Sequence, residues 1–220
     1  GTAGSTTYEA THTNTNNSTI KTYIDNWYNT NIKNTPNANY VVDAIYCNDR
    51  TRVTDTTKMA ELDTAWGVTS TGEGFGTKVT YYGLYNRMTS DFVSVTPSLK
   101  CPETRDKFTV SNTLGNGKLD NPIGLITLDE MVFGGSYRHM DVTYQNNETY
   151  LYNGENYYWT MSPFAFDVDC ALVGFGFRGA VYGDSVGHAS NGARPVISLL
   201  SSGITGGHGT ASTPFLIGSE

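Results

Sequence analysis

Three features of the sequence predict one domain of mixed α and β structure, an α+β fold. A capped amphipathic segment opens the ordered part of the chain, a second capped helix lies near its middle, and short aromatic and β-branched runs fill the rest. Two helices and many short strands joined by long polar loops make an α+β domain, with about half the chain irregular. At 220 residues the chain can bury most of its apolar surface as one large domain.

Residues 1–17 (GTAGSTTYEATHTNTNN) lack apolar periodicity and are rich in Thr, Asn and Gly, so they read as a linker or loosely tethered strand preceding a folded domain over 18–220. Ser18 is a good helix N-cap. Behind it Ile20, Tyr23, Ile24 and Trp27 fall at i, i+3, i+4 and i+7, one face of a helix that should end near Asn31, before Pro36. Ile20, Ile24 and Trp27 are expected to dock that helix on a sheet. Strands are expected at 40–47 (YVVDAIYC), 78–87 (KVTYYGLYNR), 107–112 (KFTVSN), 149–153 (TYLYN), 157–163 (YYWTMSP), 171–177 (ALVGFGF) and 194–199 (RPVISL). Between them, Thr127 and Glu130 form a capping box with Leu128, Met131 and Val132 on one face, and Gly134 and Gly135 stop that helix. Burying such a face contributes roughly 1.5–3 kcal/mol per large side chain.

Charged residues make up only 16% of the chain while Asn, Thr, Ser, Gly and Tyr abound, which is the surface chemistry of an exported protein. A net charge of -7 without a Lys or Arg cluster argues against duplex nucleic acid and against anionic membrane surfaces. No apolar run approaches the ~20 residues that span a bilayer, and no signal peptide is present. Any export signal or anchor is therefore expected to have been removed or to lie beyond these residues.

Cys47, Cys101 and Cys170 have no C-x-x-C spacing, which excludes a zinc knuckle or a thioredoxin-type motif. Cys47 and Cys101 both follow strand-like text and are expected to pair as a disulfide in an oxidising compartment, the alternative being two buried free thiols.

Several motifs fail on their context. Gly174, Gly176 and Gly179 satisfy G-x-G-x-x-G, but no helix follows, and Phe175 and Phe177 alternate with the glycines as in a strand. GDSVG (Asp184, Ser185, Gly187) beside His188 looks like a serine-protease nucleophile segment, yet His12, His139 and His208 lack the context of a catalytic base. The four histidines have no metal-ligand spacing and read as surface residues. Asp129, Glu130, Asp167 and Asp169 could offer oxygen to calcium, but there is no EF-hand loop; Asp167 and Asp169 share one loop and make a poor glycosidase pair. More informative are the 15 tyrosines, clustered at Tyr81, Tyr82, Tyr85, Tyr157 and Tyr158 with Trp159. With Ser, Gly and Asn they suit both a semi-buried core and a binding surface.

From Tyr150 onward, YLYNGENYYWTMSPF, a glycine-rich stretch and NGARPVISLLSSGITGGHGTASTPFLI resemble the C-terminal half of lectin-like domains in surface proteins of Gram-positive gut bacteria. IKTYIDNWY, IYCNDRT, YYGLYNR, LKCP and NPIGLITLDEMVFGG resemble the same family, and together these phrases cover most of residues 20–217. That family is similar to the C-type-lectin or formylglycine-generating-enzyme type of fold, which also carries the variable proteins of diversity-generating retroelements. The resemblance implies two helices on short antiparallel sheets with long irregular loops. It implies a bacterial extracellular or cell-surface module, adhesin-like or receptor-like, that catalyses nothing, needs no cofactor and displays a variable binding surface in its C-terminal third.

In such proteins, mutagenic reverse transcription rewrites AAY codons to NNY, which cannot encode Lys, Gln, Glu, Met or Trp. Residues 164–191 contain none of the five. Within them Phe164, Phe166, Leu172, Phe177 and Tyr182 are expected to anchor a protein or glycan ligand on a cell or phage, and Asp169, Arg178, Asp184 and His188 to set polarity. Phe175 is expected in the core. The sugar-coordinating triplets of calcium-dependent lectins are absent from the sequence, and Cys170 lacks the nearby cysteine that the formylglycine-generating oxidases use. The alternatives are a structural head or subunit of a pilus or surface layer and, less favoured, an enzyme of that oxidase type.

Overall fold

The computed structural model describes residues 9, 12–66, 79–87, 96–138, 149, 151–152, 156–167, 170–177, 180–187, 191–210 and 212–218; for 65–66, 137–138, 167, 170–177, 182 and 184 it describes the backbone. Helix α1 spans Thr19–Asn31, and the Ser18 side chain accepts the Lys21 N–H, one of the donors a helix start leaves without an intrahelical partner. Its buried side chains are Ile24, Asp25 and Tyr28, with Ile20 and Ile32 packed alongside. Ile20, Ile24, Tyr28 and Ile32 recur every fourth residue, so the apolar stripe runs through Tyr28 and turns the next aromatic away. Trp27 is 37% exposed and Tyr23 61%, which corrects the expectation that Trp27 docks the helix.

Helix α2, Thr56–Trp66, was not expected from the sequence. Asp55 caps it, its Oδ1 accepting the Thr57 and Lys58 N–H groups at 2.9 and 3.0 Å, while Leu62 and Met59 face the core. Helix α3, Leu128–Phe133, has the expected capping box, Thr127 and Glu130 each closing the other's backbone N–H, and it buries Leu128 and Met131.

The strands are short: β1 (Val41–Val42), β2 (Tyr46–Cys47), β3 (Thr80–Tyr81), β4 (Lys107–Phe108), β5 (Gly124–Leu125), β6 (Tyr137–Arg138), β7 (Tyr158–Asp167), β8 (Cys170–Phe177), β9 (Ala180–Ser185), β10 (Gly192–Ala193), β11 (Pro195–Val196), β12 (Ser198–Leu199), β13 (Ile204–Gly206) and β14 (Leu216–Ile217). Six join in one sheet of order β10-β7-β8-β9-β6, with β3 also paired to β7; the rest pair as β1 with β12, β5 with β11, β2 with β4 and β13 with β14. The architecture is α+β, helices beside small and mostly antiparallel sheets. Where a strand was expected over 149–153, residues 149, 151 and 152 instead form a bend and turn. The expected strand over 78–87 shortens to β3 and passes into a 3-10 helix at Gly83–Arg87.

Strand β7 separates two clusters of buried side chains. Tyr158, Phe164 and Ala165 join Val53, Leu62, Tyr81, Tyr85, Leu128 and Met131 in the larger one. Trp159 and Met161 pack on the smaller one, formed by Ile24, Tyr28, Ile123 and Leu125. Alternating side chains on a strand buried on both faces produce this division.

Buried ion pairs and a disulfide tie the loops to this frame. Arg87 grips Asp129 with two parallel hydrogen bonds (Nε to Oδ1, 2.9 Å; Nη2 to Oδ2, 2.6 Å) and reaches Asp49 with Nη1 at 2.9 Å. The N–H of Ser98 adds a bond to Asp129 Oδ1. A Cβ at Gly83 would lie 2.2 Å from Asp49 Oδ2, so only glycine lets the 3-10 helix come this close. Asp106 is fully buried and accepts from the backbone N–H and Nε of Arg50, with His12 Nε2 at 3.7 Å. His12 is 3% exposed, which corrects its reading as a surface histidine. Cys47 and Cys101 form the expected disulfide across a separation of 54 residues, a closure that removes about 4 kcal/mol of unfolded-chain entropy.

Arg87→Met leaves two buried carboxylates without their cation and should cost about 3–5 kcal/mol, read as a lower urea midpoint. High pH should weaken the fold through two tyrosines. Burial pushes the phenols of Tyr46 and Tyr82 up to about 12, and the Tyr46 hydroxyl donates to the Pro122 carbonyl at 2.9 Å. Unfolded tyrosine ionises near pH ~10, so this stabilisation is complete below that pH and is lost as pH rises towards 12. Stability measured from pH 10 to 12 that stays flat would contradict the assignment.

Candidate binding face

Residues 164–191, in which the sequence predicted a strand only at 171–177, contain the end of β7 followed by β8 and β9 in an antiparallel meander. Asp167 pairs with Cys170 and Phe177 with Ala180, so two residues join each pair of strands. One edge of the meander is held by β10 and β3, which share β7, and the other by β6 in parallel register with β9. Pro163 has no N–H to give a ladder, and the β7–β8 register shifts on both sides of it. Before this irregularity the odd-numbered Trp159 and Met161 pack on the smaller core; after it both Phe164 and Ala165 sit in the larger one.

Phe164 is fully buried, its ring 4.7 Å from that of Tyr85, and Tyr85 in turn meets Tyr81 edge-on at 5.3 Å. Phe164 is thus a core residue, and its expected role as an exposed ligand anchor is corrected. The cause is local: Gly183, across the sheet on β9, leaves the space its ring fills, and a Cβ there would stand 2.0 Å from Phe164 Cδ1. Val181 on the same strand is also fully buried. Phe166 is half-buried and pairs with Thr80.

For Leu172, Phe177, Tyr182 and Asp184 the backbone register is described. Leu172 lies opposite Ser185, Phe177 opposite Ala180, Tyr182 opposite Phe175 and Asp184 opposite Val173. The meander therefore brings these four residues of the expected site into one sheet. Asp169, Arg178 and His188 lie outside the described residues. Gly174 and Gly176 are strand residues of β8, as their alternation with phenylalanine predicted.

Neighbouring chemistry is structural where it is described. Asp129 and Glu130, weighed above as calcium ligands, are occupied by Arg87 and by the α3 cap. Among the described residues no group of three or more His, Cys, Asp or Glu could hold a metal ion. Ser185 is half-buried and its Oγ accepts the Gly187 N–H at 3.3 Å, a local turn contact. Beside the meander, the Arg194 guanidinium stacks 4.7 Å above the Tyr158 ring and donates to the Leu151 carbonyl. That contact was not visible in the sequence, since 36 positions separate the two in text and only the parallel pairing of β10 with β7 joins them.

A hollow of about 500 Å³ opens elsewhere, among Glu9, His12, Asn14, Arg105, Asn116 and Lys118, where the Asn14 amide donates to the Arg105 carbonyl. None of residues 164–191 lines it. Compared with known proteins, the chain matches no family model, no curated protein and no solved structure.

Two substitutions probe the support of this face from opposite sides. Phe164→Ala empties core volume and should cost about 3–5 kcal/mol. Gly183→Ala drives a methyl into the same ring and should cost about 1–3 kcal/mol. Thermal unfolding of both variants within a degree of the parent would show that the ring is not seated there.

Proposed function

We propose that this chain is a secreted or cell-surface binding module of C-type-lectin-like type, presenting residues 164–191 to a protein or glycan on a cell or phage surface, and that it binds without catalysing a reaction. The supporting observation is the clamped meander: β7, β8 and β9 are held at both edges by other strands and pinned inward by Phe164, Val181 and Gly183. Ladder hydrogen bonds use backbone groups that every residue but proline carries, so positions off the buried face and in the connections tolerate most substitutions while the sheet persists. Diversification of this segment by a retroelement fits that separation, with Phe164, Val181 and Gly183 held constant.

The Cys47–Cys101 disulfide accords with an oxidising, extracellular location. Among the described residues no helix is long and apolar enough to cross a membrane. A net charge of -7 disfavours nucleic acid as the partner. A second reading, a structural subunit of a pilus or surface layer, draws on the exposed Ile204, Phe215, Leu216 and Ile217 around the C-terminal β13–β14 ribbon.

Arrays of bacterial-surface glycans and proteins supply the ligand for the test. Replacing Phe177, Arg178 and Tyr182 together by alanine should leave the melting temperature nearly unchanged and weaken capture by roughly 2 kcal/mol or more. An unfolded triple variant, or capture unaffected by it, would move the binding face elsewhere. Concentration-dependent assembly abolished by Ile217→Lys would favour the structural subunit.

A further inference from the structure

We propose that Lys21 and Asn121 become joined by an intramolecular isopeptide bond, formed by the folded chain itself with Asp25 as proton carrier. Such a bond needs an amine, a carboxamide and a carboxyl group that touches both, away from bulk water. Helix α1 places Lys21 and Asp25 one turn apart on the same face. Lys21 Nζ is in close contact with Asp25 Oδ2, while the Asn121 amide donates to the other oxygen, Oδ1, at 3.1 Å. The attacking nitrogen and the group it would attack thus meet across a single carboxylate.

The site is enclosed. The Lys21 and Asp25 side chains are 15% and 12% exposed, and Asn121 is 3% exposed. Ile24 and Ile123, at 3% and 0% exposed, belong to the smaller core beside it. Among the described residues, the other carboxylate within reach of Lys21 is Asp120, 3.9 Å away on a side chain that is 76% exposed.

The sequence also removes the usual competitor for an asparagine side chain. That competitor is the backbone nitrogen of the following residue, which closes a succinimide on the amide carbon. Here the following residue is Pro122, which has no N–H to lose. The Asn121 amide carbon is thereby left to Lys21.

The step balances without a cofactor. Asp25 takes a proton from the Lys21 ammonium, and the Nζ lone pair attacks Asn121 Cγ. The Nζ–Cγ bond forms, Asp25 returns a proton to Nδ2, and the Cγ–Nδ2 bond breaks. A second Nζ proton leaves with the departing ammonia as ammonium, and Asp25 is ionised again at the end. Nothing is oxidised or reduced. The product clamps α1 to the segment entering β5, as the disulfide clamps β2 to residue 101.

Intact mass spectrometry of the folded, non-reduced chain tests this directly. The expected mass is lower by about 17 Da, one ammonia, than the disulfide-bonded sequence, and a digest should contain a peptide pair linked through Lys21 and Asn121. Lys21→Arg keeps the ion pair with Asp25 but cannot form the amide, so it should fold, recover the full mass and melt at a lower temperature. Asp25→Ala should recover the full mass as well. The proposal is overturned by an unaltered parent mass, by a loss of about 18 Da mapping to a Lys21–Asp25 amide, or by an ammonia loss mapping to any other asparagine.

Discussion

The grip of Arg87 on Asp129 and Asp49 is the constraint on which the rest of the molecule depends. Three stretches of chain distant in sequence meet at one guanidinium: the loop after β2, the 3-10 helix ending at Arg87 and the first turn of α3. Ser98 joins through its backbone N–H, three residues before the disulfide at Cys101. In a chain so poor in charge, Asp49, Asp106 and Asp129 are nonetheless buried against their arginines. A fork of donors matched to a carboxylate fixes direction as well as distance, which an apolar contact of equal area does not. Loops without regular structure acquire a definite path by this means, and the Asp106–Arg50 pair repeats the device at a second junction.

On that frame β7 acts as the partition between the two cores. Its break at Pro163 lets the second half of the strand turn both Phe164 and Ala165 into the larger core. Among the meander's described side chains, Phe164, Ala165, Ala180 and Val181 are buried, and Phe164 lies between Tyr85 and Gly183. The proposed Lys21–Asn121 bond would add a covalent tie on the opposite core, where α1 packs.

Legibility in the sequence followed the range of the interaction. Ser18, Thr127 and Glu130 announce helices because a cap is satisfied within three residues, and both helices stand where they were expected. Helix α2 carried an equally local signal, Asp55 ahead of Met59 and Leu62, but it was obscured by threonines with weak helix propensity. At α1 the period was right and the phase was not: Tyr28, rather than Trp27, completes the buried stripe. Within the candidate face the strand at 171–177 was legible from the alternation of glycine with phenylalanine, but β9 and the antiparallel pairing that makes a meander of β7, β8 and β9 were not, because strand pairing is a contact between segments.

What the sequence by itself determined is the α+β class, the two helix starts, the cysteine pair and the segment in which a binding surface is proposed. Each of these rests on residue type or on contacts a few positions apart. The tertiary structure alone decided that Phe164 is core, that Asp129 and Glu130 are structural, that His12 is buried, and that Lys21, Asp25 and Asn121 meet. Those outcomes depend on which distant segment arrives beside a side chain. A single side chain carries no record of that, because burial and pairing are properties of two segments together and are set when the chain closes on itself.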